Sequence, residues 1–329
     1  MLIILGIEST AHTFGIGIVK NGKILSNVRD MYTTESGGII PIDSAKHHRE
    51  CCENIYKKSL EDAKISENKI DAIAFSQGPG LAPCLLEGIK FAKKISKKLN
   101  KPLIPVNHCV AHLEIGRVTN AKDPVLLYVS GANTQVIAYA AGKYRVFGET
   151  LDIGVGNFID NFARYANIGF PGGPKIEKLA LESKNYIELP YKVKGMDVAL
   201  SGILTNLHQK LKSGNYKIED LSYSMQETVF AMLVETAERA LAHVGKKELL
   251  LGGGVACNSR LQEMCKIMCE QRGCKFFVPE KSLLVDNGAM IAYLGEIMFK
   301  KGIKFLEKDF DKLDILPRQR TDDVIVNWK

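Results

Sequence analysis

The sequence predicts an α/β protein built as two related lobes. Strand-like segments alternate with helical ones along most of the 329 residues, the pattern of a sheet covered by helices. A pattern near the N-terminus returns roughly 120 residues later, which marks an internal repeat. The length also exceeds what a single hydrophobic core usually organises, so two lobes are expected.

The elements follow in order. Residues 2–7 and 14–20 read as strands around the polar turn "ESTAHT", and Gly22 turns the chain into "KILSN". "AKHHRECCENIYKKSLEDAK" reads as a helix, and "IDAIAFSQGPG" as a buried strand ending in a glycine-proline turn. "IKFAKKISKKLNK" is an amphipathic helix. Lys90, Lys93, Lys94, Lys97 and Lys98 line one side, and Ile89, Ala92, Ile95 and Leu99 the other. "PLIPVNH" is a short strand leading into "VNHCVAHLEIGR". Then "VLLYVSGANTQVIAYAAGKYRVFGE" repeats the opening pattern: Ser9 matches Ser130, Ala11 matches Ala132, Thr13 matches Thr134, and Gly22 matches Gly142 after a one-residue slip. Residues 151–245 are richer in helix. "ELLLGGGVACNSRLQEMCKIMCEQRG" is strand, glycine turn, helix; "KFFVP" is a strand; "DNGAMIAYLGEIMFKKG" is a helix. The end, "PRQRTDDVIVNWK", reads as a strand or a tail packed late. The expected division is lobe I over 1–120, with the last helix and tail at about 288–329 packing back on it. Lobe II covers 121–287, with a helical insertion at about 155–245.

Composition narrows the class. Apolar side chains make up 46% and charged ones 25%, an ordinary globular balance. No apolar run approaches the roughly 18 residues of a membrane span, and the apolar N-terminus lacks the basic lead of a signal peptide. No membrane partner is expected, and the location expected is cytoplasmic. Eight cysteines without a C-x-x-C pair fit free thiols in a reducing compartment. The net charge of +7 allows an anionic partner without requiring one. The lysine stripe at 90–98 is either a solvated face or a track for a phosphate backbone.

Several motifs carry possible chemistry. His108 and His112 stand one helical turn apart, so both rings project from one face, a metal-ligand spacing. Asp286 at a helix start and Tyr128 on the first strand of the second repeat would complete an N/O donor set suited to iron or zinc. A capping aspartate and a core tyrosine are the alternatives. A zinc-protease motif is excluded, because Cys109 stands where H-E-x-x-H needs its glutamate. The turns Ser9–Thr10 and Ser130–Gly131 offer hydroxyls and N–H groups that could cradle phosphate. Gly252, Gly253 and Gly254 leave a strand in neither the dinucleotide nor the Walker spacing, and would let the backbone approach a flat ring or a phosphate. Gly172 and Gly173 precede a helix with Glu177 in its first turn. That carboxylate either complements the helix dipole or accepts from a ribose, and Asp152 and Asp160 pose the same choice.

Taken together, "GIESTAHTFGIGIV", "HCVAHLEIGR", "YVSGANT", "GETLDIGVGNFIDNFAR", "PGGPKIEKLA", "GGGVACN" and "DNGAMIAYLG", in this order, closely resemble the Kae1/TsaD (Gcp) family, archaeal and eukaryotic Kae1 branch. The resemblance implies the actin, Hsp70 and sugar-kinase (ASKHA) fold, two related lobes around a nucleotide cleft. It implies the acyltransferase that forms t6A, moving a threonylcarbamoyl group from threonylcarbamoyl-AMP to N6 of adenosine 37 in tRNAs reading codons that begin with A. His108, His112, Tyr128 and Asp286 would then hold one metal ion, iron rather than zinc. Tyr128, Val129, Ser130, Gly131 and Ala132 would line the threonylcarbamoyl-adenylate; Asp160, Gly173, Glu177 and Asn258 would hold its nucleotide part, or ATP. The implied partners are tRNA, a Bud32-type kinase or ATPase (fused after this domain in some relatives), and Cgi121-type and Pcc1-type small subunits, as in a KEOPS complex. One departure from the wider superfamily stands out: Glu8 occupies the first-hairpin position that is aspartate in actin-like ATPases. A small-molecule kinase of the same fold and a non-catalytic nucleic-acid-binding scaffold are the competing readings.

Overall fold

A computed structural model describes residues 2–34 and 39–329. Among these, residues 2–32, 39–115 and 286–329 form one compact unit, and 33–34 with 116–285 a second.

The first unit begins with β1 (Ile3–Glu8), β2 (Thr13–Lys20) and β3 (Lys23–Met31), an antiparallel meander. Helix α1 (Pro41–Ala63) leads to β4 (Ala72–Gly78), which lies parallel to β1. Helix α2 (Ala82–Leu99) crosses to β5 (Leu103–Asn107), parallel to β4, and β5 runs straight into α3 (His108–Glu114). The sheet order is β3-β2-β1-β4-β5. Helix α2 forms as its apolar spacing demands, burying Ile89, Ala92 and Ile95 while its lysines stay outside. It stops at Asn100, which takes the left-handed conformation that asparagine tolerates.

The second unit repeats this topology. Strands β6 (Val125–Val129), β7 (Thr134–Ala140) and β8 (Lys143–Glu149) form its meander. Helices α4 (Val155–Tyr165) and α5 (Gly173–Leu181), the short pair β9 (Val193–Lys194) and β10 (Asp197–Val198), and helices α6 (Ser201–Ser213) and α7 (Ile218–Val244) follow. Then come β11 (Glu248–Gly252), α8 (Ser259–Gln271), β12 (Lys275–Phe277) and α9 (Lys281–Leu284). The order β12-β11-β6-β7-β8 is the first sheet over again, with β11 and β12 in the places of β4 and β5. Both hairpins close on two residues with positive φ, Asn21–Gly22 and Ala141–Gly142, the turn whose twist matches that of the strands.

The chain then returns to the first unit as α10 (Gly288–Lys300), lying against β1 and β2. The approach is backbone to backbone: a Cβ on Gly17 would sit 2.2 Å from the amide nitrogen of Ala289. Residues 317–329 make no strand, only a short 3-10 turn at Thr321–Asp323, and they end with Trp328 buried. Each unit has its own apolar core, one around Leu5, Phe14 and Phe75, the other around Leu127, Phe158 and Phe230. All eight cysteines are free thiols. No helix among the described residues is long and apolar enough to cross a membrane.

Candidate metal centre and nucleotide-binding residues

The metal candidates of the first unit meet because two helices are capped at the right places. The Asn107 side chain accepts from the amide of Val110 at 3.0 Å, so α3 starts at His108 without delay. His112 falls one turn later on the same face. Asn287 caps α10 by accepting from the amide of Met290 at 2.9 Å, which fixes Asp286 just ahead of the helix. Both histidines are buried, and their rings stand edge to face with centroids 4.8 Å apart. His108 Nε2 and His112 Nε2 each lie 3.4 Å from Asp286 Oδ1. The three donor atoms all fall within 4.8 Å of one another, the one such group of His, Cys, Asp or Glu found among the described residues.

This arrangement fits a metal ion. Bonds of about 2.0–2.2 Å from nitrogen and oxygen leave neighbouring donors of one ion about 3–3.5 Å apart, which is how far each imidazole nitrogen stands from Asp286 Oδ1. The electrostatics point the same way. Burial opposes charge on His108, but Glu8 and Asp286 outweigh it and push its pKa up to about 9. Burial likewise opposes the charged form of Asp286, yet His108 and His112 hold its carboxyl well below the usual range. Burial lowers the pKa of His112. Two buried imidazoles and a partly buried carboxylate thus stabilise a positive charge among them.

The second unit holds the residues expected to bind nucleotide, each in a local network. Asp160 Oδ1 accepts from the amide of Gly172 at 2.8 Å, which ties the loop before α5 to α4. Gly173 opens α5 with empty space where a Cβ would stand. Glu177 Oε1 accepts from both the amide and the hydroxyl of Ser259, at 2.8 and 2.7 Å. Asn258 caps α8 through its oxygen, accepting from the amides of Arg260 and Leu261, and its amide nitrogen donates to Gln226 at 2.8 Å. The glycine turn is strained where it must be: Gly253 has φ +92 and packs against the Val129 carbonyl. Gly254 faces open space, with only a Val285 methyl 3.9 Å from the place of a Cβ. A flat ring or a phosphate could approach the backbone there. Gly252 pairs with Tyr128 on neighbouring strands, and Tyr128 is fully buried on β6. Beyond it, Val129 is buried, Ser130 bonds back to Asn133, and Gly131 and Ala132 are exposed at the turn.

Other expected contacts are committed internally. Ser9 is buried with its hydroxyl against Gly88, and its amide donates to Ser76 Oγ. The Thr10 amide and hydroxyl both donate to Glu8 Oε1. Along α2, Lys90 pairs with Glu87, Lys94 with Glu53, Lys97 with Glu307 and Lys98 with Glu67, while Lys93 donates to the Leu313 carbonyl. Asp152 is a structural clasp, accepting from the amides of Ile153, Leu200 and Ser201. Sequence reasoning missed two buried acids beside the histidines. Glu8 Oε2 lies 3.0 Å from His108 Nδ1, and Glu114 Oε1 accepts from the Trp328 indole at 3.1 Å. Glu8 had one signal, its departure from aspartate; Glu114 had only its nearness to His112.

Comparison with solved structures sets the fold class. Full-length HypF aligns over 90% of this chain and 56% of its own, with a TM-score of 0.61 at 13% identity. Component A of (R)-2-hydroxyglutaryl-CoA dehydratase from Acidaminococcus fermentans aligns over 89% of this chain and 98% of its own, with a TM-score of 0.54 at 14% identity. The protein therefore has the ASKHA fold, two copies of one α/β topology. The family model for TsaD, tRNA N6-adenosine threonylcarbamoyltransferase, matches residues 23–293. A protein of that name from Thermococcus kodakarensis is 57% identical over 99% of this chain and 100% of its own length. One from Drosophila melanogaster, carrying the name as probable, is 47% identical over 100% and 99%. A probable bifunctional tRNA threonylcarbamoyladenosine biosynthesis protein from Methanosarcina mazei is 54% identical over 99% of this chain, which spans 59% of that relative. The chain belongs to the TsaD family.

Proposed function

We propose that this protein transfers the threonylcarbamoyl group from threonylcarbamoyl-AMP to N6 of adenosine 37 in tRNAs reading codons that begin with A. Full-length identity to relatives bearing the transferase name supports the reaction class. The observation that carries the site is the convergence of His108, His112 and Asp286 within 4.8 Å.

The acceptor amine is a poor nucleophile, because its lone pair is delocalised into adenine. The donor is a mixed anhydride that releases AMP. Positioning and carbonyl polarisation therefore matter more than a strong base, and fixed geometry alone can contribute about 7–11 kcal/mol. His108, His112 and Asp286 would hold the metal ion, with Tyr128 as a phenolate ligand on the family resemblance; the nitrogen and oxygen donors suit iron or zinc, and the resemblance favours iron. When bound, such an ion supplies Lewis acidity to the carbamoyl end of the donor. Asp160, Gly173, Glu177 and Asn258 would seat the nucleotide part, and the open backbone at Gly254 would lie against adenine. Residues Tyr128 to Ala132 would line the acyl-adenylate. The target base must leave the anticodon stack to react.

The M. mazei relative, longer than this chain and named bifunctional, supports a second activity working beside this one, here taken as a Bud32-type ATPase. Cgi121-type and Pcc1-type subunits complete the proposed complex. Phosphates would track the α2 lysines only by displacing their carboxylate partners. The kinase reading is disfavoured by Glu8, whose oxygens are engaged by Thr10 and His108.

The test is reconstitution with tRNA, threonine, carbonate, ATP, the adenylate-forming enzyme and partner subunits. The double variant His108→Ala, His112→Ala is expected to keep its fold, lose bound metal and lose t6A formation. Full transfer by the metal-free double variant would exclude this reading.

A further inference from the structure

We propose that Glu8 is the positioning residue of the metal centre: its carboxylate holds His108 as the Nδ1–H tautomer and aims the Nε2 lone pair at the ion. The inference rests on the metal reading above and assigns a role to a side chain outside the ligand set.

Glu8 ends β1 and is completely buried. Its Oε1 accepts from the amide of Thr10 at 2.7 Å and from the Thr10 hydroxyl at 2.5 Å. Those two bonds leave Oε2 one orientation, 3.0 Å from His108 Nδ1. The Thr10 hydroxyl itself lies 3.3 Å from the same ring nitrogen. With Nδ1 engaged by a carboxylate, the ring presents Nε2 on its opposite edge, where Asp286 Oδ1 stands 3.4 Å away. A metal-bound histidine commonly donates its other N–H to a carboxylate, which fixes the ring and strengthens it as a donor.

Side-chain length gives the position its meaning. An aspartate here would end about one C–C bond, roughly 1.5 Å, short, too far to bond His108 from the same backbone. The longer glutamate reaches the histidine. Its oxygens are occupied by donors of its own chain in a buried place, so Glu8 acts through His108 and not on a substrate.

The experiment uses the full chain carrying Glu8→Ala, Glu8→Asp or Glu8→Gln, with His108→Ala as control. Zinc and cobalt(II) affinities are measured by chelator competition, folding by thermal unfolding, and the His108 tautomer by nitrogen-15 NMR of the zinc-loaded protein. Wild type is expected to show a protonated Nδ1. Glu8→Ala and Glu8→Asp should weaken metal binding about 10–100-fold. Glu8→Gln keeps the reach but has one accepting oxygen where Glu8 uses two. With that oxygen held by Thr10 it turns its NH2 toward His108 Nδ1, disfavours the Nδ1–H tautomer and should weaken metal binding as Glu8→Asp does. Should Glu8→Ala fail to fold, the losses in Glu8→Asp and Glu8→Gln relative to wild type decide. Equal affinities in wild type, Glu8→Asp and Glu8→Ala, or an Nε2-protonated ring in wild type, overturn the role of Glu8 alone. A wild-type chain that binds no more metal than His108→Ala overturns the metal reading and this inference with it.

Discussion

The indole of Trp328 donates to Glu114 Oε1 at 3.1 Å, with Glu114 fully buried two residues past His112 on α3. The penultimate residue of the chain thus fastens the helix that carries both candidate imidazoles. Removing the ring in Trp328→Ala should cost about 3–5 kcal/mol, as large-to-small changes at buried aromatic sites do. Trp328→Phe keeps an aromatic ring but removes the N–H together with the second ring of the indole, which should cost at least about 1–3 kcal/mol because the carboxylate stays buried without that donor. Denaturant unfolding of the two variants measures how firmly the tail is held. Wild-type stability in both would show that the tail lies on α3 without holding it.

The backbone contact between α10 and β2 makes a second prediction. A Cβ on Gly288 would lie 2.2 Å from the Gly17 amide nitrogen, and one on Gly17 would lie 2.4 Å from Ala289 Cα. Backbone cannot yield as the tip of a side chain can, so either substitution to alanine must lift the start of α10, and Asp286 with it. We expect Gly17→Ala to cost about 1–3 kcal/mol or more and to weaken metal binding at the same time. Gly22→Ala is the control: its φ is +78 and nothing stands within 4 Å of a Cβ. It should cost about 1 kcal/mol of left-handed strain and leave metal affinity unchanged. A Gly17→Ala protein with wild-type metal affinity would separate this packing from the site.

These two cases mark what the sequence could and could not disclose. The repeat was legible because strand alternation and the paired turns at Asn21–Gly22 and Ala141–Gly142 follow from local backbone preference. The convergence of His108, His112 and Asp286 was half legible: helical periodicity puts the two rings on one face, but only tertiary packing of α10 brings Asp286 to them. The Glu114–Trp328 bond joins residues 214 positions apart, and no local pattern announces it. The α2 lysines were legible as a stripe, but not their carboxylate partners, which come from α1, from the segment before β4 and from the chain after α10 as well as from α2 itself.

Two buried histidines give the metal-free protein opposite pH limbs. Burial first, then His47, lowers the pKa of His48 to about 4. Between that value and the ordinary one near 6.5, the unfolded chain binds a proton that the native state refuses. The stability from a neutral His48 is therefore full above pH 6.5 and is lost as pH falls toward 4, about 3 kcal/mol at most. His108 runs the other way: burial opposes its charge, but Glu8 and Asp286 raise its pKa to about 9. Its contribution is full below pH 6.5 and is lost as pH rises through about 9. Denaturation midpoints of metal-free protein should peak near pH 6.5. His48→Leu should make the limb between pH 6.5 and 5 shallower while leaving the alkaline limb, the remainder coming from His112, whose pKa burial also lowers. An unchanged acid limb in that variant would remove His48 as its source.

Glu177 offers the cleanest separation of nucleotide binding from metal binding. Its Oε1 spans from α5 to the start of α8, accepting two bonds from Ser259 just after the glycine turn at 252–254. As a structural tie alone it resembles a helix cap, and Glu177→Ala would cost about 1 kcal/mol. As a nucleotide ligand it would also lose a charged hydrogen bond to ribose, about 1.5–3 kcal/mol, or about a 10- to 100-fold rise in the dissociation constant. Glu177→Gln, which keeps an accepting oxygen without the charge, should fall between the alanine variant and wild type. Calorimetric titration with a non-hydrolysable threonylcarbamoyl-adenylate analogue, alongside metal content and unfolding temperature, reads all three. The expected pattern is weakened analogue binding, unchanged metal content and a small loss of stability. Unchanged analogue affinity would leave Glu177 as the tie between α5 and α8 and move ribose recognition to other residues of the unit.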